Sequence, residues 1–435
     1  MKTMLLMMTL LWLPTVLLGY SAEVGFFFWW HHLTILTGMI GLTCMTLSMI
    51  LALRLSWVEA KVKGLDNGYA LHKQIGIGAL IALVLHWTII ESHKWFISLG
   101  WIERFHRHQH AFVPGINWTH LSKIVGEYTF YVFVIFAAIS LIQLVSYRHF
   151  RFIHKIAGAL FIAGAFHSIT IMDLNWPAAA MDMAIMMMSV AGVLAAMLSF
   201  SGRIGLSKRV SGHIIGAEVI EPLQVKPPVL HLKIALDHEM DYHSGQFAFL
   251  NFHDGEAAHP FSVLHYDQSA QTIEFAIKAL GDYTTHLVSS FDTLHQVSVE
   301  GGYGRFYIPP EPRQVWIAAG VGVVPFIAWL YVMARSDKYQ RNNVELYYCH
   351  RSHSETYFTQ IIEKLICDLP SVNLHVISDD LGEVLQGEQI AKVVSLREVS
   401  VSFSGPMKFG QLLARQLQRY GLVAEQFHYE RFMMR

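Results

Sequence analysis

Long apolar stretches of the sequence contain four histidines: His72, His86, His154 and His167. An imidazole placed inside a bilayer is costly, so such a histidine is by default a functional candidate. His86 follows His72 by fourteen positions, and His167 follows His154 by thirteen. A matched quartet on two helices predicts two layers of paired imidazoles, each pair supplying the axial ligands of one haem iron. The alternative is that some of these residues are hydrogen-bonded histidines of a helix bundle.

The spacing of the quartet sets the geometry of the predicted haem site. Fourteen residues cover about 21 Å of helix axis, which is enough to stack two porphyrins across a membrane. Two axial imidazoles leave an iron without an open position, which suits it to electron transfer. The thirteen-residue spacing places His154 and His167 about 140° apart around their helix. This predicts a tightened turn between them or haems at different azimuths. Gly158 and Gly164 lie in this interval and are expected to leave room for porphyrin.

Histidine also occurs outside the quartet. His31 and His32 lie near the expected outer interface, where polar side chains that reach water are common. A loop expected outside the membrane holds three histidines at 106–110, together with His93 and His120. This loop could bind a metal ion or attract a metal chelate, but a solvated polar loop is the favoured interpretation.

Membrane helices are the elements that must position the quartet. Hydrophobic residues make up 53% and charged residues 15% of the 435 residues, whereas soluble domains are about 25% charged. A transmembrane helix needs roughly 20 apolar residues, and apolar stretches near this length lie at 4–20, 27–52, 70–92, 126–146, 152–172 and 178–200. Residues 1–203 are therefore predicted to form an all-α transmembrane haem bundle of about six helices.

Charge and cysteine content bound the remaining possibilities. A net charge of −1 gives no general attraction to nucleic acid. The three cysteines form no CxxC pair that would suggest a zinc site or a disulfide framework. Basic residues follow the second, fourth and sixth stretches, which predicts that the N-terminus and the C-terminal half are cytoplasmic, although the long loop at about 93–125 also contains basic residues. The first stretch is interpreted as a retained helix, with a cleaved signal peptide as the alternative.

Beyond about residue 210 the pattern becomes that of soluble domains. Apolar and polar residues alternate at 229–236 and 272–279, which predicts short strands in an antiparallel β-barrel over 210–309. Strand and helix patterns then alternate over 310–435. This alternation predicts a doubly wound α/β nucleotide-binding domain. The whole chain is thus expected to be a multi-domain membrane protein.

A glycine-containing turn joins the first strand of that α/β domain to its first helix. The turn contains Gly320, Gly322, Val323, Pro325 and Phe326. Glycines there let the backbone approach a pyrophosphate, whose charge the amides of a helix N-terminus would receive. Pro325 suits the first helical turn because it lacks only an amide hydrogen that would be unpaired. The turn predicts dinucleotide binding, with an ordinary strand-to-helix turn as the alternative.

In this order, the features resemble the ferric reductase and NADPH oxidase superfamily of prokaryotic type, in which a haem-bearing membrane domain is joined to a ferredoxin-reductase-like dehydrogenase. The two histidine spacings resemble the family's ligand helices. Three segments resemble its flavin-binding motifs, at 259–262, 278–284 and 299–304, where Gly302 replaces the usual proline. The resemblance implies that FAD contacts His259, Pro260, Phe261, Ser262, Lys278, Gly281, Asp282, Tyr283, Thr284 and Gly304, and that the ring of Phe432 covers the flavin.

The α/β domain carries further resemblances to the same superfamily. Gly320–Phe326 resembles its nicotinamide nucleotide loop. Arg351 follows the second strand, where the family holds the adenosine ribose or its 2′-phosphate, and this favours NADPH over NADH. Gly405 and Pro406 resemble a CGP turn near the nicotinamide, with Ser404 in place of the cysteine.

The resemblance implies a transmembrane electron-transfer oxidoreductase. Electrons would pass from cytoplasmic NADPH, or NADH, through FAD and two haem b groups to an extracytoplasmic acceptor, and no catalytic acid or base is needed in the membrane. A ferric chelate is the first expectation for the acceptor, and O2 reduced to superoxide is the alternative. A second alternative is a non-enzymatic haem-bearing membrane sensor or subunit. The expected partners are the acceptor and the lipid bilayer, without nucleic acid, while a homo-oligomer or an accessory subunit stays open.

Overall fold

A computed structural model of the chain describes residues 2–18, 25–103, 116–142, 150, 153–172, 179–220, 227–291, 296–339, 342–352 and 356–430. The chain divides into two compact units, the first with residues 1–59 and 68–204 and the second with residues 60–67 and 205–435. The histidine-rich segment 106–110 and Phe432 lie outside the described residues.

The helices along residues 2–200 are mostly apolar, and all of this stretch except residues 60–67 belongs to the first unit. Their bounds are α1 Lys2–Leu18, α2 Phe26–Ala52, α3 Ser56–Val62, α4 Leu65–Ser98, α5 Trp118–Leu141, α6 Ile156–Thr170 and α7 Ala179–Phe200. Within the described ranges, α2, α4, α5 and α7 are long and apolar enough to cross a membrane, whereas α1 and α6 are shorter apolar helices. The predicted all-α membrane region is confirmed.

Several polar side chains in this unit donate hydrogen bonds to backbone carbonyl groups of the helices, which a hydrocarbon environment favours. The Trp12 indole donates to the His32 carbonyl oxygen at 2.9 Å and joins α1 to α2. The Thr43 hydroxyl lies 2.7 Å from the Met39 carbonyl oxygen of its own helix. His32 is only 8% exposed and packs against the rings of Trp12 and Phe28. The expectation that His32 reaches water was therefore wrong, because neighbouring aromatic rings cover it.

The barrel of the second unit has six antiparallel strands. They are β1 Arg209–Ile220, β2 Val229–Leu236, β3 Phe247–Asn251, β4 His259–Asp267, β5 Thr272–Lys278 and β6 Gln296–Tyr303. They close in the order β1-β2-β5-β4-β3-β6, with helix α8 Asp282–Ser289 between β5 and β6 in the chain. Leu230, Leu232 and Ile234 point inward from β2 with no exposed surface, as the period-two pattern predicted.

A five-stranded parallel sheet follows the barrel. Its strands are β7 Arg313–Ala319, β8 Asn343–His350, β9 Val372–Ser378, β10 Ser400–Ser404 and β11 Phe427–Glu430, and the helices between them are α9 Val324–Arg335, α10 Tyr357–Ile366, α11 Gly387–Val393 and α12 Met407–Arg419. The strand order is β11-β10-β7-β8-β9. The order reverses between β7 and β10, and ligands of such sheets bind outside the carboxyl ends of the strands at that point.

Both faces of this sheet are covered by helices, as a parallel sheet requires. Phe326 and Trp329 of α9 belong to the core on one face. Leu413 and Leu417 of α12 belong to the core on the other face. The predicted order of an antiparallel barrel followed by an α/β sheet is confirmed.

Two turns meet where the strand order reverses, because Gly322 has no side chain. A Cβ atom added to Gly322 would collide with the carbonyl oxygen of Ser404, at the end of β10. A Cβ atom on Gly405 would lie 2.8 Å from the Cβ atom of Ala319, at the end of β7. The glycines predicted from the sequence therefore allow the β7 and β10 turns to touch.

We expect Gly322→Ala to destabilise the second unit by roughly 1–3 kcal/mol, because the added methyl group overpacks a backbone contact. The midpoint of thermal unfolding of the purified chain in detergent measures this change. Gly216→Ala is the matched control, because its Cβ atom would meet only the Lys233 Cβ atom, at 3.6 Å. Equal midpoints for the two variants would contradict the close contact of the turns.

Candidate functional site

The histidine quartet forms two pairs in the first unit. The ring centroids of His72 and His154 lie 5.9 Å apart with an interplanar angle of 63°. Imidazole nitrogens bind metal ions at about 2 Å, so two ligands on opposite sides of one ion have nitrogens about 4 Å apart. The rest of the 5.9 Å between the centroids corresponds to the distance from each nitrogen to the centre of its own ring. His86 and His167 form the second pair and lie within electrostatic range of each other.

Backbone carbonyl groups hold three of the four imidazoles. His72 Nδ1 lies 3.0 Å from Ser48 O, His86 Nδ1 lies 2.9 Å from Thr34 O, and His167 Nδ1 lies 2.9 Å from Ser122 O. A carbonyl oxygen only accepts, so Nδ1 carries the proton in each ring and the Nε2 lone pair is available to a metal. Metal-binding histidines are usually held in this way.

The uneven spacing of His154 and His167 is accommodated by a turn. The helical residues that include His154 end at a turn at Lys155, and α6 begins one residue later. Gly158 N donates to Lys155 O at 3.3 Å, a tight three-residue bond. Since His154 precedes this turn, the periodicity of α6 does not fix its direction. One of the two predicted solutions, a tightened turn, is therefore present.

Glycines adjust the space around the quartet. A Cβ atom on Gly38 of α2 would lie 3.0 Å from His86 Cε1, and one on Gly126 of α5 would lie 2.5 Å from His167 Nδ1. These two glycines let the helices approach the imidazoles. Gly158 was expected to leave room for porphyrin, but its Cβ atom would lie 2.6 Å from the Phe200 ring, whereas Gly164 has open space around it.

The donor set therefore fits two bis-imidazole haem irons. The four rings lie on segments of one helical unit, in pairs, and three of them have Nδ1 tied to a carbonyl group. His154 differs, because its buried Nδ1 has no hydrogen-bond partner among the described residues. Its ring instead packs against Phe136 and Phe150.

The first two segments that resemble flavin motifs lie together in the second unit. The His259 ring stacks on the Tyr283 ring with centroids 3.8 Å apart and an interplanar angle of 10°. His259 to Ser262 begin β4, and Lys278 ends β5. The Tyr283 hydroxyl donates to Asp254 at 3.0 Å. Burial and the nearby Asp254 carboxylate raise the pKa of Tyr283 well above its ordinary value.

The 281–284 segment has the geometry of a helix N-terminus. Gly281 is the N-cap of α8 in an extended conformation, and Asp282 starts the helix. The Thr284 hydroxyl oxygen accepts from the Gly281 amide at 3.0 Å. First-turn amides of a helix lack internal acceptors and suit an anion such as a pyrophosphate. Gly304, on the third segment, follows β6 with a φ of 91°, which favours glycine.

A buried carboxyl group joins the flavin-like strand to the parallel sheet. Ser404 Oγ donates to Glu430 at 2.7 Å, and Ser262 Oγ donates to the same carboxyl at 3.3 Å. Burial raises the pKa of Glu430 to about 8, although the two hydroxyl groups oppose the shift. A cavity of about 580 Å³ lies beside it, lined in part by Gly304 and Tyr429. At neutral pH, Glu430 therefore holds a proton beside this cavity.

The other residues predicted for nucleotide binding follow the carboxyl ends of the parallel strands. Gly320 has a φ of 57° and open space around it, and Pro325 lies in the first turn of α9. Val323 and Phe326 are fully buried core residues, so their side chains are not available to a bound nucleotide. Pro406 is the N-cap of α12.

Arg351 lies past the carboxyl end of β8, the strand that pairs with β7. Its side chain is exposed, and its carbonyl oxygen accepts from the Asp380 amide at 3.1 Å. The Asp380 carboxylate accepts from Ser352 Oγ at 2.7 Å and from Ser378 Oγ at 2.5 Å. One cation and one anion therefore lie close to the expected ribose position.

Comparison with known families matches both units. Residues 37–165 match the model of the ferric reductase like transmembrane component, and residues 219–311 match the model of an FAD-binding domain. The chain has the domain fusion of the ferric reductase and NADPH oxidase superfamily. The membrane-component match and the apolar helices together indicate a multi-pass membrane protein.

Individual relatives resemble parts of this ferric reductase-like fusion. The phenol hydroxylase P5 protein of Acinetobacter pittii is 25% identical over 37% of this chain and 47% of that protein. A flavohemoprotein of Vibrio cholerae is 32% identical over 29% of this chain and 32% of that protein. The chain thus spans less than half the length of either relative. A flavohemoglobin structure from Malassezia yamatoensis aligns over 91% of this chain and 96% of that one, with 14% identity and a TM-score of 0.48.

Several residues around the sites were not singled out from the sequence. The carbonyl groups of Ser48, Thr34 and Ser122 leave no signal in a sequence, because every residue has one. Ser404 does lie in a segment that resembles a family motif, but its contact with Glu430 depends on the pairing of β10 with β11.

We expect Glu430→Gln to flatten the pH dependence of stability of the second unit. A carboxyl whose pKa is raised stabilises the folded state below about pH 4.5 and loses that contribution as the pH rises through about 8. The thermal midpoint of the unaltered chain should therefore fall between pH 5 and pH 9 relative to that of the variant. Glu388→Gln removes an exposed carboxyl paired with Lys392 and serves as the control. Parallel pH profiles for the unaltered chain and Glu430→Gln would contradict the assignment.

Proposed function

We propose that the chain is a transmembrane oxidoreductase that transfers electrons from NAD(P)H, through FAD and two haem b groups, to a ferric chelate on the opposite side of the membrane. The observation that carries the proposal is that one chain contains both the two histidine pairs and an FAD-binding barrel. A sensor would need neither the flavin segments nor the nucleotide turn. The match of residues 37–165 to the ferric reductase like component supports the choice of acceptor.

In this proposal His72 and His154 hold one haem iron, and His86 and His167 hold the other. The bonds from Nδ1 to backbone carbonyl groups fix three of the rings and present Nε2 to the metal. The apolar helices exclude water from the irons. Bound haem with two imidazoles supplies one-electron redox chemistry without an open coordination position.

The proposed flavin site uses the first strands and turns of the barrel domain. His259, Pro260, Phe261 and Ser262 would lie along the isoalloxazine ring. The amides at 281–284 would receive the pyrophosphate, with Lys278 and Gly304 bordering the cofactor. Bound FAD supplies the exchange between a two-electron donor and one-electron acceptors. Glu430, held by Ser262 and Ser404, keeps a proton next to this site at neutral pH.

The proposed nucleotide site lies where the strand order of the parallel sheet reverses. The turn from Gly320 to Phe326 would hold the pyrophosphate of NAD(P)H, and Gly405 with Pro406 would border the nicotinamide. Arg351 would contact the ribose or its 2′-phosphate with its planar guanidinium. Phe432 stays a prediction as the cover of the flavin.

The proposed location is a bacterial inner membrane with the flavin and nucleotide domains in the cytoplasm. Basic residues after the second, fourth and sixth apolar stretches support this orientation. The proposed domain ranges are 1–203 for the membrane region, 210–309 for the flavin barrel and 310–435 for the nucleotide domain.

We expect the purified chain to contain two low-spin haems, and His86→Ala to contain one, because the His86/His167 pair loses an axial ligand. Haem extraction and quantitation per chain measure the ratio. His93→Ala is the control, because His93 is on the same helix but its Nδ1 bonds to Ile90 O at 2.6 Å. Two haems retained in His86→Ala would overturn the ligand assignment.

The acceptor is tested by supplying NADPH and ferric citrate to the reconstituted chain. We expect ferric citrate reduction to continue in the absence of O2 and to be insensitive to superoxide dismutase. Reduction that superoxide dismutase abolishes, and that stops without O2, would identify the chain as an oxidase that forms superoxide.

A further inference from the structure

The two imidazole pairs differ in the number of hydrogen bonds that their Nδ1 atoms make. His86 Nδ1 lies 2.9 Å from Thr34 O and 3.4 Å from Thr37 Oγ1. His167 Nδ1 lies 2.9 Å from Ser122 O and 3.3 Å from Ser122 Oγ. Each ring of this pair therefore has both a carbonyl group and a hydroxyl group beside Nδ1.

The hydroxyl groups are oriented as acceptors toward the rings. Thr37 Oγ1 donates its hydrogen to Leu33 O at 2.8 Å, and Ser122 Oγ donates to His167 O at 3.1 Å. A hydroxyl group has one hydrogen, so its oxygen lone pairs remain for the N–H of the imidazole. Each Nδ1–H is thus shared between a carbonyl oxygen and a hydroxyl oxygen.

The other pair lacks this second acceptor. His72 Nδ1 has the Ser48 carbonyl oxygen at 3.0 Å, whereas the buried Ser48 hydroxyl has no hydrogen-bond partner among the described residues. His154 Nδ1 also has no hydrogen-bond partner among the residues that the structure describes. The rings of Phe136 and Phe150 pack on the His154 ring. Within the described ranges, each Nδ1 atom of the His86/His167 pair therefore has two acceptors. In the other pair, His72 Nδ1 has one acceptor and His154 Nδ1 has none.

Acceptors at Nδ1 change the electronic character of a metal-bound imidazole. An acceptor that draws on the N–H hydrogen leaves more electron density on the ring and makes Nε2 a more basic ligand. A more basic ligand stabilises the oxidised, more positive iron, which lowers the reduction potential. Aromatic surroundings without an acceptor leave the ligand less basic.

We propose that Thr37 and Ser122 are positioning residues that give the His86/His167 pair a lower reduction potential than the His72/His154 pair. This inference rests on the proposed haem ligation. It adds that the two haems are electronically distinct, and that two hydroxyl groups on α2 and α5 make them so. An electron passing from the His72/His154 pair to the His86/His167 pair then moves energetically uphill, so this transfer depends on the acceptor drawing the electron onward.

The test is an optical redox titration of the purified full chain without O2. We expect two one-electron waves, and His86→Ala should keep only the wave of higher potential. Thr37→Val and Ser122→Ala should each move the lower wave upward, changing that reduction equilibrium by about fivefold for the loss of one hydrogen bond, and leave the upper wave in place. Thr43→Val is the matched control, because Thr43 is on the same helix as Thr37 but its hydroxyl contacts the sulfur atoms of Met8 and Met188.

Conservative variants separate an effect of the hydroxyl group from a loss of structure. Thr37→Ser keeps the hydroxyl group and should keep the position of both waves. If Thr37→Val loses haem while Thr37→Ser retains it, the positioning role is supported, and loss in both overturns it. If two haems are bound but neither Thr37→Val nor Ser122→Ala moves the lower wave, the inference fails while the ligation stands. A chain that binds no haem would instead overturn the proposed function.

Discussion

The need to satisfy an imidazole nitrogen inside hydrocarbon organises the first unit. His72 and His86 of α4 have the same spacing in the sequence as Ser48 and Thr34 of α2, whose carbonyl groups hold them. The two antiparallel helices are thereby held in register by the same interaction at two levels. Ser122 of α5 holds His167 in the same way. These bonds leave Nε2 as the only lone pair that each ring can offer, so the bonds that join the helices also leave Nε2 available to a metal ion.

The second unit also contains a buried polar group that needs hydrogen bonds, in this case a carboxyl group. Its buried carboxyl, Glu430, is placed where the β4 and β10 strands approach, and burial raises its pKa to about 8. Two serine hydroxyls donate to it, and the group remains neutral at physiological pH. Nearby, Gly322 lets the β7 and β10 turns touch. Barrel and sheet thus both line the cavity that lies beside this protonated group.

The sequence predicted most of the fold because hydrophobic period is a local signal. The strand at 229–236 and the helix with Pro325 in its first turn follow directly from alternation and from proline chemistry. The prediction of helix ends was less accurate. The apolar stretch 70–92 was predicted, but α4 spans Leu65–Ser98, because polar residues continue the helix beyond its apolar run. The burial of His32 and the filling of space at Gly158 by Phe200 depend on neighbouring helices. Those contacts arise only from tertiary packing.

The central claim is that one chain connects a nicotinamide donor to two bis-imidazole haems. Its most direct test is a titration of the purified chain with NADPH, or NADH, in the absence of O2, with flavin and haem spectra recorded together. The account predicts that the flavin and both haems become reduced without an added mediator. Reduction of the flavin alone, with the haems remaining oxidised in an intact chain, would contradict it.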